Sequence, residues 1–106
     1  MSTPSNLESE RSQKHFVFYM GKAAGIASRL GLERISRVLM LMGRTPTEFY
    51  TIPPGEAAYM REALELIAQR WLPLELFRCE VGDADELREA LQMAIDEAAT
   101  IERSAP

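Results

Sequence analysis

The 106-residue chain is 46% hydrophobic and 26% charged with a formal net charge of −4, an ordinary folded composition that argues against general disorder and against a nucleic-acid coat. Its length supports one hydrophobic core and not two. A single cysteine, Cys79, excludes an internal disulfide and a multi-cysteine metal cage, and His15 is the one histidine.

The modest net charge hides a strong asymmetry. Residues 11–44 carry seven basic side chains against one acid, a balance of +6, whereas residues 45–106 carry five against thirteen, a balance of −8. Such a distribution either builds a cationic site in the first third of the fold or lets two faces, or two copies, attract each other.

In chain order, residues 1–12 read as a polar tail, residues 13–102 as one globular domain and residues 103–106 as a frayed end. Met1–Glu8 has neither the cationic start nor the apolar stretch of a secretory signal, and the longest apolar runs are about five residues against roughly 20 for a membrane span. The expectation is a cytoplasmic protein without a membrane contact.

The run from His15 to Met20 is dense in β-favouring residues and ends at Gly21. Arg37–Met42 is a second apolar run ending at Gly43, with a short helix from Ala23 to Leu30 between them. Runs apolar on both faces are what central parallel strands look like. A competing reading makes residues 8–43 all helical, because Phe16, Met20, Ala23, Ala27 and Leu30 also keep helical spacing. The strand reading is preferred: Phe, Val and Tyr lose side-chain freedom in a helix, and Gly21 and Gly25 would weaken one.

Beyond the Pro53-Pro54-Gly55 break, Ala57, Met60, Leu64, Ile67 and Trp71 recur at helical steps until Pro73, which is read as the stop. Leu74–Val81 reads as a third strand. Gly82 permits a turn, Asp83 and Glu86 form a capping-box pattern, and Leu87, Leu91, Ala94, Ile95 and Ala98 mark one face of a last helix. The resulting fold class is α/β, a small three-layer Rossmann-like domain with a short parallel sheet.

In that fold the strand ends would gather Gly21, Lys22, Arg44, Thr45 and Thr47 into a ligand-binding edge suited to an anion. Gly21-Lys-Ala-Ala-Gly25 matches neither the phosphate loop nor the dinucleotide fingerprint, and a plain glycine turn competes with it. Thr45, Pro46 and Glu48 equally suit a helix start. His15 and Cys79 lie within expected strands, where a buried thiol acts as a small hydrophobe, and the acids at 83–89 suit a helix N-terminus. No catalytic residue, metal site or cofactor is assigned. Ile26–Leu32 followed by Ile35–Val38 imitates a helix-turn-helix, with a turn about two residues too short.

The layout of a strand ending at Gly21, a small-residue helix, Leu32-Glu-Arg-Ile-Ser-Arg into a second strand, a threonine loop and an acidic helix start at Asp83 resembles a CRISPR-associated Rossmann-fold (CARF) domain over residues 15–100. The resemblance implies cyclic-oligonucleotide sensing by a two-fold dimer, and by position it carries over only Gly21, Lys22, Arg44 and Thr45. The function expected is a non-catalytic regulatory homodimer binding an anionic or nucleotide ligand. The alternatives are a protein–protein adaptor without a small-molecule ligand and a DNA-binding regulator.

Overall fold

The computed structural model describes the backbone of residues 4–44 and 51–104 and the side chains of residues 10–43 and 51–104. All regular structure among them is helical: α1 is Pro4–Arg29, α2 Glu33–Arg44, α3 Pro54–Leu66, α4 Leu72–Arg78 and α5 Asp85–Arg103, with a π-helical turn at Ile67–Trp71 joining α3 to α4.

The α/β expectation, and with it the Rossmann-like layout, is therefore overturned. Residues 15–20 lie inside α1, residues 37–42 inside α2, and residues 74–78 form most of α4. Phe16, Met20, Ala23 and Ala27 are all but completely buried at steps of four, three and four, so helical spacing and not β propensity decided α1. The propensity cost of a few aromatic and β-branched residues is only tenths of a kcal/mol each, about an order of magnitude below the gain from burying one large side chain. Val17 and Phe18, which made the run look apolar on both faces, are simply exposed.

Helix α1 closes on Gly31, whose φ of +80° suits a residue without a Cβ, and the Leu32 N–H reaches back to the Ala27 carbonyl at 2.9 Å. Helix α2 then returns along α1. The Ser36 hydroxyl donates to the Ala24 carbonyl at 2.9 Å, and a Cβ on Gly43 would stand only 3.2 Å from that of Met20. Contact at both ends of α2 makes the pair an antiparallel hairpin and not the crossed helices of a helix-turn-helix.

Pro54 opens α3 at a position whose N–H has no helical partner. Pro73 does not stop the rod. It lacks the N–H and crowds the carbonyl four residues back, and the chain answers with a wider turn in which the Leu72 N–H bonds the Ile67 carbonyl, five residues away. That turn keeps the buried row Leu64, Ile67, Leu72 and Leu76 on one side, although Ile67 and Leu72 are five apart. Residues 79–81 form the turn after α4, with the Val81 N–H on the Leu76 carbonyl at 2.9 Å and Glu80 at φ 55°.

Helix α5 follows the sequence expectation closely, with Leu87, Leu91, Ala94, Ile95 and Ala98 all buried. Its start differs in detail: Asp83 accepts from the Asp85 N–H at 3.0 Å and Ala84 is the capping residue, so no capping box forms. Helix α5 packs between α1 and α3, and α2 covers the other flank of α1. Arg61 of α3 ties the last turn of α5 through Glu102 at 2.7 Å, and the Gln13 amide brackets Ile52 with bonds of 3.0 and 2.9 Å.

Candidate functional site

Helices α1 and α2 meet through small residues, and where they diverge toward solvent a groove of about 210 Å³ opens. Val17, Met20, Gly21, Ala24, Leu39, Met40 and Gly43 line it. Its floor belongs to the core, since Met20, Ala24 and Leu39 are buried, but its margin is apolar and wet, with Met40 at 59% and Val17 at 37% exposure. A second recess lined by Ser28, Glu33, Ser36, Arg37 and Met40 continues it toward the α1–α2 turn.

Gly21 forms part of the groove wall, and Gly25 is exposed one turn further along the same helix. Gly21 and Gly25 sit inside α1, where each costs about 0.5–1 kcal/mol relative to alanine. Unlike Gly43, neither accommodates a neighbour among the described residues: a Cβ at either position would meet none of their atoms within 4 Å. The space they leave open faces outward. Arg37 lines the adjoining recess, and Lys14 and Lys22 are exposed on α1; the three form no ion pair among the described residues, while Arg29 and Arg34 lean on Glu86 at 3.6 Å and Glu75 at 3.9 Å.

The anion-binding edge expected at strand ends loses its geometry together with the sheet. Gly21 lines the groove, and Lys22, one residue on, is rotated by roughly 100° onto the exposed outer face of α1. Arg44 ends α2 directly after Gly43, which brings the Gly21 and Gly43 backbones to opposite sides of one groove. The Arg44 side chain, Thr45 and Thr47 lie outside the described residues. His15 stands 3.7 Å from Glu97 and Cys79 is 3.9 Å from Glu75, so the two never form a nucleophile–base pair with each other. No group of three metal-ligating side chains occurs among the described residues.

Sequence reasoning missed the polar centre of the fold, Glu75. Its carboxylate is buried at 6% side-chain exposure, yet it is fully partnered by Arg78 at 2.7 and 2.9 Å and by the Trp71 indole N–H at 3.2 Å. The Arg78 guanidinium holds this carboxyl below the usual carboxylate range, against the opposing effect of burial. The available signal was Trp71, Glu75 and Arg78 at helical spacing; Pro73 obscured it. With every partner internal, the cluster pins α4 and the start of α2 together and leaves no unpaired group for chemistry.

Comparison with known proteins finds no matching family model, curated protein or solved structure. No described helix is long and apolar enough to cross a membrane.

Proposed function

We propose that this chain is a non-catalytic interaction module whose α1–α2 groove receives an apolar segment of a partner protein with acidic flanks. The observation that supports this reading is the pair of glycines in α1: they weaken their helix, a Cβ on either would meet no atom of the described residues within 4 Å, and Gly21 opens the groove wall where a partner backbone can approach closely. The exposed Met40 and Val17 supply apolar contact area, a methionine being able to adapt to the shape of its neighbour. The surrounding cations favour acidic flanks and speed encounter.

A photo-crosslinking amino acid placed at Met40 in cells of origin tests it, with the same probe at Gln92 on the outside of α5 as control. One protein should be captured from Met40 and not from Gln92, and Gly21→Leu, which fills the groove, should abolish capture while the helical circular dichroism persists. Equal capture from both positions, or capture that ignores Gly21→Leu, refutes the groove as the site.

A further inference from the structure

A second surface, on the far side of the molecule's other hairpin, is built to meet its own copy. Tyr59, Leu66, Leu74 and Phe77 are 77, 57, 69 and 89% exposed on the α3–α4 rod. In an uninterrupted α-helix Leu66 and Leu74 would be about 80° apart around the axis. The π-turn takes up one extra residue between them and brings both onto a single line with Arg70, opposite the buried row of Leu64, Ile67 and Leu72.

Read in reverse about Arg70, this line matches itself. Leu66 and Leu74 stand four residues to either side, Glu62 and Arg78 eight, and Ala63 and Phe77 seven. An antiparallel pairing of two rods therefore sets Leu66 against Leu74, the acid Glu62 against the base Arg78, and the large ring of Phe77 over the small Ala63. Residue i meets j while j meets i, the condition for a closed two-fold interface. Glu62 and Arg78 keep 64 and 51% side-chain exposure, Arg78 while engaging Glu75 through Nε and Nη2. Pairing through the α1–α2 face would instead oppose Lys14, Lys22 and Arg37 to their own copies, which like charges disfavour.

We infer that the exposed face of the α3–α4 rod is a homodimer interface, formed by antiparallel contact with a second copy about an axis at Arg70. This stands independently of the groove reading. One helical rod against another is a small interface, so the dimer is reversible and the two Arg70 guanidinium groups at its centre weaken it further.

Sedimentation equilibrium of the full chain tests the inference and should show a monomer–dimer equilibrium at about 0.1 mM protein. Leu74→Glu should weaken the dimer about tenfold or more, and Arg70→Leu should tighten it. In a Cys79→Ser background, oxidation should link Arg70→Cys to its own copy, and should link Leu66→Cys to Leu74→Cys in a mixture more readily than either alone. Circular dichroism of these surface variants reports that the fold is kept, and Met40→Glu in the groove should leave the dimer unchanged. A chain that stays monomeric, a dimer indifferent to Leu74→Glu, or Arg70→Cys that fails to cross-link overturns the assignment.

Discussion

The molecule consists of two helical hairpins that close in the same way and are held in opposite ways. Both end their first helix with a residue of positive φ and a backbone bond spanning five residues, Leu32 to Ala27 in one and Val81 to Leu76 in the other, each 2.9 Å. The α1–α2 hairpin places Gly31 at the left-handed position and packs through small residues, with a buried polar tie from Ser36 to Ala24. The α3–α5 hairpin places Glu80 there and is tied by the Arg61–Glu102 pair, while the Glu75 cluster braces its α4 segment against the start of α2. Small residues let α1 and α2 approach closely, whereas large side chains and ion pairs make the second hairpin a frame. The first hairpin is held by close backbone approach, the second by side chains that reach across it.

Removing bulk from the frame should have the largest effect. Leu64 is fully buried between α3 and α5, so Leu64→Ala is expected to cost about 2–5 kcal/mol in urea unfolding. A loss confined to tenths of a kcal/mol would mean that the frame is not where stability resides. The turns come next and should respond with opposite signs: Gly31→Ala should lose about 1–2 kcal/mol, whereas Glu80→Gly should gain up to about 1 kcal/mol. Equal signs would show that the two turns are not equivalent closures.

Ser36→Ala, which deletes the tie between α1 and α2, should cost about 1 kcal/mol. Gly25→Ala should stabilise by about 0.5–1 kcal/mol in thermal unfolding, since open space surrounds the added methyl. A destabilising Gly25→Ala would reveal an internal contact for that glycine and remove the argument that its space is for a partner.

The smallest effect is electrostatic, because ion pairs open to solvent contribute little. Hydrogen bonds from Arg78 and Arg61 lower the pKa of Glu75 and Glu102 in the folded chain. Stability from such groups is present above their unfolded pKa and is lost as pH falls through the depressed folded values. Acid titration of the Glu102→Gln variant should accordingly show a shallower decline than wild type, and an unchanged slope would assign the acid sensitivity elsewhere.

Helices α3 and α5 were legible in the chain because their apolar residues recur at three and four with turn residues outside, as Leu87, Leu91 and Ala98 do. The first hairpin was not, because its apolar residues include several that face solvent. Val17, Phe18, Met40 and Leu41 turned two amphipathic helices into runs that look buried on both sides. Pro73 misled in a different way, since a proline interrupts hydrogen bonding without ending a rod whose flanks are both anchored in the core. The candidate surface was half legible. Gly21 and Gly43 were singled out as strand ends, and their actual role as facing walls of a groove needs the antiparallel return of α2, which depends on contacts far apart in sequence. The dimer face was hidden by the same π-turn, because Leu66 and Leu74 fall out of phase in any search at 3.6 residues per turn.

That turn also makes a statement about length. Residues 67–71 hold one residue more than the α-helical path needs, so the rod behaves as though a single-residue insertion had been absorbed with both flanks left in place. A one-codon deletion elsewhere in α3 would swing everything beyond it by about 100° and drive Leu72 and Leu76 out of the core. The same deletion at Gln69, combined with Pro73→Ala to restore the missing donor, should leave a straight α-helix with the frame intact, making this the one stretch of the rod where the reading frame can lose a codon and the fold can keep its register.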